Sequence, residues 1–274
     1  MRAAISHRRA AVGYRLTAIG YCLAAGIVLC AALPAAAGAQ RFGRRVNGEE
    51  ALSAPPNPHY DGRFTYARVR FSQSCCIMGG QYWDVKWGHD YPQADQHFPK
   101  ILQELTSMRI RTEVSSILTL DDPELFKFPF LYLCEPGYWL PSDREATGLR
   151  NYLLKGGFVI VDDFEGNHWI NFEAQMRKVL PEARLLPVPP KHPIFDSFYR
   201  IESLEFHDAN FGTLAQFYGV FEDNDPAKRL MMIVNYNFDV SEFWEYSNTG
   251  YFPVDLTNEA YKLGVNYVIY AFSR

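Results

Sequence analysis

The chain has 274 residues, with 27 basic and 31 acidic side chains, a formal net charge of −4 and 15% aromatic residues. That acidic balance, without a dense Lys/Arg stripe, repels phosphate backbones, so no nucleic-acid partner is expected. A 48% hydrophobic content excludes a disordered chain and supplies one large core.

Residues 1–39 fall into three zones. Arg2, Arg8, Arg9 and Arg15 bring positive charge with no acid. An apolar stretch follows through Leu16, Ile19, Leu23, Ile27, Val28, Leu29 and Leu33, and Ala35-Ala36-Ala37-Gly38-Ala39 then precedes Gln40. This is the order of a cleavable secretory signal, with Ala37-Gly38-Ala39 as an A-x-A cleavage site. The alternative, an uncleaved inner-membrane anchor, needs ~20 apolar residues in one run, and glycines and Pro34 dilute this one. Arg8-Arg9 leads into Ala10-Ala11-Val12, which is no strong twin-arginine context. The expected mature protein is exported, periplasmic or extracellular, with no spanning segment after cleavage. It would hold 235 residues (274 less 39), carrying 23 bases against 31 acids, a net charge of −8. Cys22 and Cys30 lie in the leader. The remaining Cys75, Cys76 and Cys134 are an odd number and no full disulfide framework. Cys134 reads as a buried thiol and the other two as loop thiols, with a bridge from either to Cys134 as the alternative.

Residues 40–61 form a polar lead-in containing Ala54-Pro55-Pro56-Asn57-Pro58 and are expected to be flexible. The domain is expected over residues 62–274. Residues 64–71 alternate as a strand. A long connection, residues 72–95, carries Cys75-Cys76, Tyr82-Trp83, Trp87 and His89, and loops of that length usually have a task. Phe98, Ile101, Leu102 and Leu105 fit one helix face. A short extended piece near residues 112–114 precedes a helix entry at Asp121-Asp122-Pro123. Residues 128–133 read as a strand buried on both faces. Ser142 and Glu145 have capping-box spacing, and the helix they open stops at Gly156-Gly157. Residues 158–164 form a second buried strand that turns acidic at its end, and residues 171–180 a further helix. Residues 217–221 and 230–234 read as a β-hairpin, and residues 257–272 as a final helix. The spacing predicts a three-layer α/β sandwich: a mostly parallel sheet with crossover helices on both faces, then a C-terminal hairpin and helix.

Three constellations could carry chemistry. Asp162-Asp163-Phe164-Glu165-Gly166-Asn167-His168 lies at the carboxyl end of a strand, where open α/β sheets bind ligands. Asp162, Asp163 and His168 could hold a divalent metal or polarise a substrate, or cap the following turn. His192, held extended before Pro193, could act as a base or ligand beside Asp196, or satisfy a backbone carbonyl. Asn235, Asn237, Asp239, Glu242 and Glu245 space oxygen donors as a calcium loop does, but without its glycine, and read as a solvated face. Tyr82, Trp83, Trp87, His89 and Trp244, with Asn235, Asn237, Asp239 and Glu245, are candidates for a ligand or partner surface. Phosphate loops, dinucleotide fingerprints, His-Glu-x-x-His, Gly-x-Ser-x-Gly and Cys-x-x-Cys are absent.

Five segments also carry a family likeness: Phe64-Thr65-Tyr66-Ala67-Arg68-Val69; Leu149 through Gly156-Gly157 to Phe164; His192-Pro193-Ile194-Phe195-Asp196-Ser197-Phe198-Tyr199; Asn235-Tyr236-Asn237-Phe238-Asp239 on to Trp244-Glu245; and Glu259-Ala260-Tyr261-Lys262-Leu263-Gly264-Val265-Asn266-Tyr267. Together they resemble the family called domain of unknown function 4159. The resemblance implies a class I glutamine amidotransferase-like (flavodoxin-like) fold and no established activity. Active amidotransferases place a Cys on a glycine-flanked elbow with a His as base. Here no Gly-x-Cys-x-Gly exists, and Cys134 leads into Glu135-Pro136-Gly137, an awkward start for a helix. The expected function is a non-catalytic module binding a protein partner or small ligand of the cell envelope. Two alternatives stay open: a metal-assisted hydrolase using Asp162, Asp163 and His168, with His192, and a structural component of an envelope complex.

Overall fold

A computed structural model describes residues 49–73, 84–208 and 212–273, all within the unit Arg44–Arg274. The expected signal, Cys75, Cys76, Tyr82 and Trp83 lie outside the described residues. Seven strands form one sheet in the order β2-β1-β3-β4-β7-β6-β5. They are β1 (Phe64–Val69), β2 (Ile110–Leu118), β3 (Phe130–Cys134), β4 (Phe158–Phe164), β5 (Leu185–Pro187), β6 (Gln216–Phe221) and β7 (Leu230–Tyr236). The run from β2 to β7 is parallel, whereas β6 runs antiparallel to both β7 and β5. The helices are α1 (Glu49–Leu52), α2 (Gln93–Leu105), α3 (Asp143–Leu154), α4 (His168–Val179), α5 (Val240–Glu245) and α6 (Val254–Ser273). Among the described residues no helix is long and apolar enough to cross a membrane.

Strand alternation sorts the core into two layers. Tyr66, Phe130, Tyr132, Phe158 and Ile160 pack under Phe98 and Leu102 of α2 and Leu263, Tyr267 and Val268 of α6. Val69, Leu131, Leu133, Val159 and Val161 pack under Leu149 and Leu153 of α3 and Phe172 and Met176 of α4. Burial by helices on both faces explains why β3 and β4 are apolar throughout. Gly264 lets α6 press against α5 and α2: a Cβ there would stand 2.5 Å from Trp244 and 2.6 Å from Phe98. Trp244 stacks on Phe98 with centroids 4.4 Å apart. Trp244 and Trp87, expected as surface aromatics, are therefore core residues, 0% and 5% exposed.

Local signals mostly hold. Ser142 Oγ accepts from Glu145 N, and the Glu145 carboxylate accepts from Ser142 N at 2.8 Å, completing the capping box of α3. Ser142→Ala is expected to lower stability by about 1 kcal/mol, seen as an earlier midpoint in urea unfolding. The short piece expected near residues 112–114 is instead the nine-residue edge strand β2. Helix α4 begins at His168, three residues before its expected start. The connection after β1 contains a 3-10 turn at Lys86–Gly88.

Candidate functional site

Strands β1, β3, β4 and β7 run parallel, so their carboxyl ends meet at one edge of the sheet. On the α2/α6 face polar side chains line this end of the sheet: Arg68, Tyr132, Asp162 and Asn235, each fully buried. Asp162 is turned into the interior. Its Oδ1 accepts from Asn235 Nδ2 (2.9 Å), and its Oδ2 from Tyr132 Oη (3.0 Å) and from the backbone N–H groups of Val240 and Ser241 (3.1 Å each). Asn235 Oδ1 in turn accepts from Tyr267 of α6 at 2.9 Å. These bonds satisfy buried polar groups and seat α5 on the sheet. Burial pushes Asp162 up to about 7, against the pull of Asn235, Val240 and Tyr132.

Above this layer three acids leave the sheet edge from left-handed backbone. They are Glu135 after β3 (φ 47°, ψ 51°), Asp163 near the end of β4 (φ 58°) and Asp90 before α2 (φ 63°). Left-handed non-glycine residues cost about 1–3 kcal/mol each and concentrate where a site demands them. Glu135 stands at a strand-to-turn corner of the kind that presents a nucleophile on an elbow, but here the corner carries a carboxylate. Cys134, one residue earlier, is fully buried, and its Sγ donates to Asp163 Oδ2 at 3.3 Å. Burial, then the charges of Asp163 and Asp90, push its thiol well above the usual range.

His89 ties these acids together. Its Nε2 lies 2.7 Å from Asp84 Oδ1, and its Nδ1 faces Glu135 Oε1 at 3.3 Å and Asp163 Oδ2 at 3.4 Å. Burial disfavours the imidazolium, but hydrogen bonds to Asp163 and Asp84 outweigh it and raise His89 to about 10. Lys86 Nζ bridges Asp84 and Glu135 at 2.8 Å each and lies over the Tyr138 ring. Burial, followed by the charge of Asp163, pushes Glu135 up to about 8. Burial also raises Asp163, yet the hydrogen bond and charge of His89 prevail and its pKa is lowered. Asp90 is raised to about 6, first by burial and then by Asp163. Asp239 caps α5, accepting from Glu242 N at 2.9 Å, and is raised by burial and by Asp163. Ser241 Oγ links Asp90 (2.5 Å) and Asp239 (3.1 Å) to this set.

The loop carrying His89 and Asp90 is held from below by Arg68. That guanidinium grips Asp95 through Nε and Nη2, while Nη1 donates to the carbonyl oxygens of Trp87 (3.1 Å) and His89 (2.8 Å). His168 opens α4 and borders the cluster, its Nδ1 3.9 Å from Glu135 Oε2. Gly137 permits this approach, since a Cβ there would lie 2.5 Å from the His168 ring. Burial and then Lys86 lower the His168 pKa.

The residues expected to work together part company here. Asp163 belongs to the cluster, Asp162 is absorbed by its four donors, and His168 touches the cluster through Glu135. His192 sits elsewhere: it caps a 3-10 turn through Ile194 N and packs on Phe221 and Tyr270. Phe221 pairs with Leu230, the first residue of β7, so His192 lies at the amino end of the sheet, away from Asp163. The run from Asn235 is no solvated face, because Asn235 and Asp239 are buried. Asn237 adopts φ 57° and accepts from Gly166 N at 3.2 Å, and Glu245 is half-buried at the end of α5. His89, expected as a surface residue, is the hub of the cluster. Asp84, Lys86, Asp90 and Glu135 escaped sequence reasoning. The signal that could have found Glu135 was an acid directly before Pro-Gly at the end of a buried strand, since proline steers its predecessor away from helical backbone.

No curated protein matches the chain. The family described as "Domain of unknown function (DUF4159)" matches residues 67–272, a span that begins in β1 and ends in α6 and includes every cluster residue above. The chain therefore belongs to the DUF4159 family.

Proposed function

We propose that this chain is an exported binding module of the amidotransferase-like class, without that class's thiol chemistry, whose carboxyl-edge acidic cluster holds a positively charged ligand met in the cell envelope. The observation that carries the reading is charge. Among the described residues, Asp84, Asp90, Glu135, Asp163 and Asp239 share this cluster with two cationic side chains, Lys86 and His89, because Arg68 is already taken by Asp95. Buried carboxylates in such excess must hold protons or meet a cation. The buried, proton-holding Cys134 thiol supports binding over acyl transfer, since the thiolate is the nucleophile.

The test is a thermal-shift panel on the chelator-treated full chain, using divalent metals, a diamine and guanidinium. A cation that binds the native state at 100 times its Kd adds about 2.7 kcal/mol of stability. At least one should raise Tm, and Asp163→Asn should remove that rise. If no cation in the panel moves Tm, the reading is wrong.

A further inference from the structure

The geometry points to a zinc-class metal centre in this cluster, ligated by His89 Nδ1 and by one carboxylate oxygen each from Glu135 and Asp163, with a fourth position for water or a ligand atom. It rests on reading the cluster as a cation site, and it names the cation. Three donors of this kind are the usual protein contribution to an open zinc site. Metal bonds of about 2.0–2.2 Å set ligand atoms roughly 3.3–3.6 Å apart at the corners of a tetrahedron. His89 Nδ1 already stands 3.3 Å from Glu135 Oε1 and 3.4 Å from Asp163 Oδ2, and the three donors lie within 4.8 Å of one another.

Two further observations point to a ligand rather than to a mere acidic cluster. First, among the described residues Glu135 Oε2 is buried without a hydrogen-bond partner, on a side chain 8% exposed. His168 Nδ1, 3.9 Å across from it, also lacks one. Lys86 donates to the other oxygen, Oε1, which also faces His89 Nδ1, so the carboxylate can meet a metal through Oε1 and keeps Oε2 open beside it. Second, Asp84 holds His89 by Nε2 at 2.7 Å and turns Nδ1 towards the two acids. A carboxylate on the far nitrogen is the outer-shell arrangement by which proteins orient a metal-binding imidazole.

The donor set chooses the metal. Calcium and magnesium take oxygen ligands, whereas imidazole suits zinc and its first-row neighbours. A soft donor stands beside the site as well: Cys134 Sγ forms a second group of three with Asp90 and Asp163. On binding, the metal takes the place of the Nδ1 proton, which passes to solvent, and it contacts the two carboxylates that this proton now faces.

Equilibrium dialysis and visible spectroscopy on the chelator-treated full chain test the assignment, with Co2+ as the spectroscopic probe and Zn2+ and Ca2+ as competitors. The expected result is one Co2+ per chain with the intense bands of tetrahedral cobalt, displaced by Zn2+ and not by Ca2+. His89→Gln should abolish the bands, and Asp84→Asn should weaken binding about 10- to 100-fold while leaving every direct ligand in place. The wild-type spectrum needs no variant, so misfolding of His89→Gln leaves the test intact. A faint octahedral spectrum, or bands that survive His89→Gln in a folded variant, overturns the centre. A Tm rise with Ca2+ or an organic cation but not with Zn2+ also overturns it, while the cluster's taste for cations stands. Indifference to every cation overturns both.

Discussion

Replacing Arg68 with methionine should destabilise the protein by about 3–5 kcal/mol, because it strands a buried charge. Arg68 and Asp95 have side-chain exposures of 0% and 1%, and their contact is bidentate. Without the guanidinium, Asp95 keeps its desolvation cost and loses its counter-charge, and the carbonyls of Trp87 and His89 lose their donor. Urea unfolding of Arg68→Met, Asp95→Leu and the pair separates these contributions. The double variant should recover much of the loss, since an apolar pair often replaces a buried ion pair at little cost. It should not recover all of it, because the two carbonyls stay unpaired at about 1–3 kcal/mol for each buried group. The same carbonyls position His89 and Asp90, so the double variant should also lose its thermal response to cations. A loss under about 1 kcal/mol in Arg68→Met would show that β1 does not hold this loop through its ion pair.

The fold was legible where its signals are local. Val159-Ile160-Val161 and Leu131-Tyr132-Leu133 declare buried parallel strands because each faces a helix layer on both sides. Ser142 and Glu145 declare a helix start because a capping box involves only four consecutive residues. The strand at residues 110–118 was under-read for the opposite reason. It lies at the sheet's edge, several of its side chains are half-buried or exposed, and its place depends on pairing with β1. Trp87 and Trp244 look alike in sequence whether they coat a groove or fill a core. Only packing decides it: Trp244 stacks on Phe98 of α2, and Trp87 joins Val69 and Leu133 in the opposite layer.

The candidate site was half legible. An acidic strand end at Asp162-Asp163 marks the correct edge of the sheet, since ligands gather there in α/β folds. Strict alternation then sends the two acids to opposite faces. The left-handed backbone at Asp163 instead places its carboxylate beside His89 and Cys134. The partners come from 29 and 73–74 positions away, at Cys134, His89 and Asp90, and no short motif joins them. Lys86 and Asp84 are harder still, because a lysine between a buried and a half-buried acid reads in sequence as an ordinary surface charge.

Chelator-treated protein should be most stable in mildly acidic solution and should lose stability steadily towards pH 9. Asp90, Asp162 and Glu135 are raised to about 6, 7 and 8 from ordinary values of 3.8, 3.8 and 4.5. A raised acid binds its proton more tightly when folded, so its contribution is complete below the ordinary value and fades as pH climbs through the folded one. His89, raised from 6.5 to about 10, has the same sign over a higher window. Asp84 and Asp163 are lowered and act oppositely, with stability lost only as pH falls below the ordinary 3.8. Between pH 5 and pH 9 the raised groups outweigh His168, whose lowered pKa adds stability as pH rises towards its ordinary 6.5, and together they should cost on the order of a few kcal/mol. Glu135→Gln carries no titrating group at this corner, so its Tm should fall less between pH 6 and pH 9 than that of the wild type. Calorimetry in matched ionic strength reads both curves. A wild-type Tm that is flat or rising across this range would mean that the buried acids shed their protons freely, and that the cluster already accommodates their charge without a cation.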